Sequence, residues 1–144
     1  MAGVTGDYRA LDALIGQLGK LGPEVRRECA AVFAEQLGTL VSEGFDAAQA
    51  PDGTPWAPLA PRTLARRRKR SARPLLDTGR LRSSFAITSD AEGVYLSTPV
   101  VYAATHQHGR GAIPARPFLP GDVLPSAWAA AFEETARDLM EHVL

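Results

Sequence analysis

Apolar residues return every three or four positions from Val25 to Phe45, through Cys29, Val32/Phe33, Leu37 and Leu40/Val41. This is the 3.6-residue stripe of an amphipathic helix. A helix with one apolar face must bury that face against a second layer. Pro23 suits its first turn, where the missing N–H costs nothing, and Glu24 lies at the positive end of the helix. The helix must stop near Ala48, because Pro51-Asp52-Gly53-Thr54-Pro55 is dense turn chemistry. A preceding helix, about Asp7 to Leu18, has its own stripe at Leu11, Leu14/Ile15 and Leu18, and Gly19, Gly22 and Pro23 separate the two.

The middle of the chain reads differently. Trp56-Ala57-Pro58-Leu59-Ala60-Pro61 allows an extended segment but not a central strand, since proline donates no ladder bond. Thr63 to Arg70 has the pattern of a short basic helix with Leu64 as its main anchor, mobile until something binds it. Asp77 or Thr78 suits the cap of a short helix over the following residues. Phe85, Ile87 and Ser89 alternate with small residues, Asp90-Ala91-Glu92-Gly93 turns, and Val94, Leu96 and Thr98 alternate again. That spells a β-hairpin with a four-residue loop. Thr98-Pro99 reads as cap and first position of a helix from Val100 to His108, with Gly109 as its stop. Arg110 to Gly121, rich in proline, reads as an extended surface arm. Ser126 to Leu144 forms a last helix with Trp128, Phe132, Thr135/Ala136, Leu139 and Val143 on one face and Ser126 as cap.

The expected fold is α+β. A long N-terminal amphipathic helix and a C-terminal helix pack on a small antiparallel sheet, with a basic loop and a proline-rich arm. One domain is expected over residues 1–144. Its helical part covers 5–48 and a mobile basic loop 49–75; hairpin, short helix and arm fill 76–121, and the C-terminal helix 122–144. A lone hairpin is marginal in water. Further strands would have to come from the proline-broken segments or from a neighbouring copy.

Net charge is zero, yet nine Lys/Arg fall between Arg62 and Arg82 against one acid, Asp77, leaving seven bases and fifteen acids elsewhere. Such asymmetry speaks of partners rather than of fold. The strip Arg62, Arg66, Arg67, Arg68, Lys69, Arg70 and Arg73 suits an acidic face of another subunit, a DNA backbone met without sequence preference, or plain solvent. Aromatic residues for base stacking are missing between Trp56 and Phe85. The single cysteine allows no intrachain disulfide, no signal peptide is evident at the start, and no apolar run approaches a membrane span. A soluble protein made in the cytoplasm, with no membrane partner, is expected.

Candidate chemistry is thin. His106 and His108 at i and i+2 on a helix point apart, and His142 lies on another helix, so no metal is expected. Tyr102 and His106, at i and i+4, share a face suited to packing. Ser83 and Ser84 lack a nucleophile elbow, and Cys29 sits on an apolar stripe as a small buried hydrophobe. No catalytic residue, cofactor or phosphate loop is indicated.

Four blocks carry a resemblance. They are Pro51-Asp52-Gly53-Thr54-Pro55-Trp56 with Leu59 and Thr63; Leu75-Leu76-Asp77-Thr78-Gly79-Arg80-Leu81-Arg82-Ser83-Ser84-Phe85; Tyr102-Ala103-Ala104-Thr105-His106-Gln107-His108-Gly109; and Ile113-Pro114-Ala115-Arg116-Pro117-Phe118-Leu119. In order and spacing this series resembles the phage virion morphogenesis family, which includes tail-completion proteins of Mu-like contractile-tailed phages. The family more often has an aromatic where His108 stands, and the run at 66–70 is more basic than its pattern. The resemblance implies a non-catalytic virion protein that completes the tail at its head-proximal end and allows head–tail joining. It implies a ring of copies, six by analogy with sixfold tails, meeting tail-tube protein, sheath and head–tail connector proteins. A neck connector and a nonspecific DNA-binding module are the rival readings. Trp56, Ile113, Arg116, Phe118 and Leu119 are then expected at contacts between subunits.

Overall fold

The computed structural model describes residues 16–66, 74–76, 79–121 and 124–143. Its elements are α1 (Pro23–Ala47), α2 (Pro61–Arg66), α3 (Arg80–Ser83), β1 (Ala86–Ser89), β2 (Val94–Ser97), α4 (Ala103–His108) and α5 (Ser126–Val143). The fold is α+β, with helices towards both ends of the chain and a two-stranded antiparallel sheet. Packing divides the chain into two compact units, one of Met1–Leu40, Ile87–Leu96 and Gly121–Leu144, the other of Val41–Ala86 and Ser97–Pro120.

In the first unit Leu18, Cys29 and Ala136 are buried together, with Leu21, Val25, Phe33, Leu139 and Met140 packed against them. Phe33 meets Phe132 at 6.0 Å, and Trp128 meets Phe132 edge-on. The Gln36 amide nitrogen donates to the Ala131 carbonyl. Gly38 leaves room for the hairpin: a Cβ there would stand 3.4 Å from the Ile87 methyl. In the hairpin loop the Asp90 carboxylate accepts from the Glu92 and Gly93 amides, and the Asp90 amide donates to the Gly93 carbonyl. The four-residue loop is as the sequence predicts. Residues 16–19 are helical; the rest of the helix expected from Asp7 lies outside the described residues.

The second unit centres on Phe45, fully buried near the end of α1. That helix ends where left-handed Ala48 (φ 53°) turns the chain, with Ala48 N–H donating to Phe45 O and Gln49 N–H to Gly44 O. These two bonds satisfy carbonyls that a helix end leaves open. Four expectations need correction. The short helix α3 starts from Gly79 at φ 78° with no side-chain cap; Asp77 and Thr78, the expected caps, lie outside the described residues. Helix α4 begins at Ala103, not Val100: the chain first turns at Val101 and Tyr102, where Ala103 N–H donates to Val100 O three residues back rather than four. Ser126 is the first helical residue of α5, and Pro125 supplies the carbonyl that Ala129 N–H meets. The arm after Arg110 is not a surface feature throughout, since Arg116 and Phe118 are buried. Among the described residues the proline-broken segments give only isolated bridges, Gln49 with Pro55 and Arg110 with Ile113.

Candidate functional site

The four motif blocks fold together in the second unit, and each has a mechanical task. In Pro51–Trp56 the Ala50 and Gly53 amides donate to Thr54 O and Ala50 O, and Asp52 accepts the Thr54 amide. That hydrogen bond holds the Asp52 carboxyl below its ordinary range. The loop closes when Trp56 N–H meets Ala48 O, which sets the indole edge-on against Phe45 at 5.3 Å. Phe85 and Phe118 complete the cluster around Phe45, at 6.0 and 5.9 Å.

The remaining blocks hold irregular backbone by side-chain donors. Arg116 Nε donates to Ala57 O at 2.7 Å and Nη2 to Pro58 O at 2.9 Å. Trp56 Nε1 donates to Pro117 O at 2.7 Å. Gln107 Nε2 donates to Leu119 O, while its Oε1 accepts the Phe118 and Leu119 amides. His106 O accepts the Arg116 amide. Gly109, at φ 75°, passes so close to the arm that a Cβ would lie 2.9 Å from Ala115 N, so no other residue fits there. Ser84 and Thr98 hydroxyls meet at 2.6 Å, joining the second block to the segment that leaves the hairpin. Buried polar backbone must find partners, and here side chains take the place of a sheet ladder.

Between these blocks lies an open groove of about 930 Å³. Its lining includes Leu59, Arg62, Leu75, Arg80, Leu81, Tyr102, His106, Ile113 and Arg116, and among the described residues no acidic one. Tyr102 stands edge-on to His106 at 5.5 Å. Leu75 holds a left-handed φ of 62°, which is costly for a branched side chain. Of the residues expected at subunit contacts, Trp56, Arg116 and Phe118 are buried among their own unit's side chains; Ile113 is 44% exposed and Leu119 half-buried. Of the basic strip, Arg62 and Arg66 are exposed on α2, and Arg62 lines the groove. Arg67, Arg68, Lys69, Arg70 and Arg73 lie outside the described residues.

Sequence reasoning gave no separate role to Gln107 or to Arg80 at the groove. The signal available was the proline-rich arm itself, whose unladdered amides and carbonyls require side-chain partners nearby. Among the described residues no group of three or more His, Cys, Asp or Glu comes together, and no helix is long and apolar enough to cross a membrane. Burial raises the Cys29 thiol above its ordinary range, with Glu28 adding to the effect.

Groove and clamps together define a small α+β protein whose motif residues bind backbone to backbone around an open surface. The chain belongs to the phage virion morphogenesis family, whose model matches residues 7–142. Its work is therefore in building a phage particle, and it is virion-associated. Neither a curated protein nor a solved structure matches the chain.

Proposed function

We propose that this protein completes the phage tail at its head-proximal end and allows the head to join, acting as a ring of copies and without catalysis. The observation that carries the reading is the match of nearly the whole chain to the virion morphogenesis family. The four blocks supply what such a role needs, a clamped scaffold that presents a groove and exposed Ile113 to partners. Tail-tube protein, sheath and head–tail connector proteins are those partners. The basic strip meets an acidic protein face or the DNA backbone there.

Loss of the protein tests this. Heads should still package and retain DNA, while tails become unstable, irregular in length or unable to attach. Tails from a second mutant that lacks only heads should join the DNA-filled heads from this one. Heads that have leaked their DNA, or infectivity restored only by heads from elsewhere, would instead assign the protein to the neck connector.

A further inference from the structure

Among the described residues β1 and β2 form a sheet with no third strand, and so with two edges. Asp90 N–H on Gly93 O sets these two residues opposite each other, and the register runs back through Ser89 with Val94, Thr88 with Tyr95 and Ile87 with Leu96. Bonded and non-bonded pairs alternate along an antiparallel ladder, so Thr88 and Tyr95 spend their backbone groups on each other. Those of Ile87 and Ser89 point out from one edge, and those of Val94 and Leu96 from the other. Among the described residues no further backbone group bonds to either edge, and Ser89 is exposed. Proteins commonly blunt an open edge with a charge or a proline. Neither β1 nor β2 contains one. The inner side of the hairpin is already in use, with Ile87 close to Gly38 and Val94 lining an apolar crevice with Phe33, while Thr88 and Tyr95 are exposed on the other side.

We propose that the β1 edge of one copy pairs antiparallel with the β2 edge of the next, so that hairpins of successive copies form one continuous sheet. The two edges differ, so the contact is head to tail and closes into a ring when the rotation allows. The strands alternate in direction within a copy, and the same alternation continues from copy to copy without turning any of them over. A strand from a different protein would cover one edge of each copy and leave the other bare, whereas a closed set of copies leaves none. The chain's own proline-broken segments are engaged in the clamps of Arg116, Trp56 and Gln107. Full overlap of two four-residue strands sets Thr88 of one copy opposite Tyr95 of the next, at a non-bonded position where side chains approach closely. The inference deepens the ring reading above and rests on it, since it names the joint that the ring repeats.

The test is disulfide trapping in particles. Host cells assemble them from two full-length chains of distinguishable mass, one with Thr88→Cys and one with Tyr95→Cys; both sites are exposed, whereas Cys29 is buried. Mild oxidation should give a mixed dimer. Either variant alone should give none, because like sites lie two strand spacings apart, about 9.5 Å, and a disulfide spans at most about 7 Å between Cα atoms. Ser89→Pro removes an outward N–H that the hairpin itself does not use. Added to the Thr88→Cys chain, it should abolish the mixed dimer without lowering the melting temperature; Ser89→Lys, which charges the edge and keeps the N–H, should do the same where proline unfolds the strand. Absence of the mixed dimer overturns the proposal, as does a dimer of Thr88→Cys alone, which would mean a twofold pair that cannot propagate. A mixed dimer untouched by both Ser89 variants, or either cysteine trapped on a different protein instead of a copy, overturns it as well. Tails separate the two readings. No mixed dimer in particles that need the protein for their tails defeats only the joint; a mixed dimer where tails form normally without the protein defeats the reading at the tail end.

Discussion

The two units solve the same problem with different means. The unit of α1's first part, the hairpin and α5 buries a stripe of ordinary apolar residues, and regular helices satisfy their own backbone. The unit built from the motif blocks has little regular structure. It holds itself by an aromatic cluster about Phe45 and by Arg116, Trp56 and Gln107 bonded to carbonyls and amides of distant segments. A periodic core tolerates substitution by similar apolar residues. A core pinned by individual donors depends on each of them, because a lost donor leaves buried acceptors unsatisfied.

The comparison breaks first at Phe45. Phe45→Ala removes a side chain with no exposed surface and should destabilise the second unit by about 3–5 kcal/mol. Each unit contains one buried tryptophan, Trp128 in the first and Trp56 in the second. Urea unfolding of a Trp128→Phe background, followed by Trp56 fluorescence, reads the second unit alone. A loss under about 1 kcal/mol would mean that the aromatic cluster does not hold this unit.

Arg116→Met keeps much of the volume but strands the carbonyls of Ala57 and Pro58, and should cost about 3 kcal/mol by the same measurement. Gln107→Glu removes the donor to Leu119 O while keeping an acceptor for the two amides, so about 1–2 kcal/mol is expected. Equal tolerance of both would show that the clamps are dispensable, and the contrast with the helical unit would fall.

The smallest effects sharpen the contrast. Ala48→Gly relieves a left-handed alanine at the end of α1 and should stabilise by up to about 1 kcal/mol, seen as a higher melting temperature. Cys29, buried with a raised thiol pKa, should resist alkylation in native buffer and react only as the first unit opens. Asp52 works the other way with pH. Its folded pKa lies below the unfolded one, so its contribution is present above the ordinary carboxylate range and lost as pH falls through the folded value. Asp52→Ala should flatten the acid limb of a melting-temperature profile.

What was legible in the sequence follows the same division. Periodicity located α1, the hairpin and α5 to within a residue or two, because amphipathic faces repeat. It failed where single hydrogen bonds decide. Thr98-Pro99 has the letters of a helix start, but a tight turn closed by Ala103 N–H on Val100 O comes first, and α4 waits until Ala103. Proline content in the arm shows that no ladder forms there; it says nothing about exposure, which is why Arg116 and Phe118 turned out interior. The resemblance carried by the blocks located the groove-bearing segment without disclosing what each residue does in it.

The division into units has a consequence for how the chain is made. The first unit draws on residues 1–40, 87–96 and 121–144, and the second on 41–86 and 97–120, so the two are interleaved along the chain. Gln36 finds its carbonyl 95 positions downstream and Trp56 its own 61 positions downstream. Pairings this distant close slowly, since loop entropy must be overcome before any contact rewards it. On the ribosome the Cys29 stripe therefore stays bare until Ser126–Val143 has emerged, exposed to aggregation or to holding by chaperones.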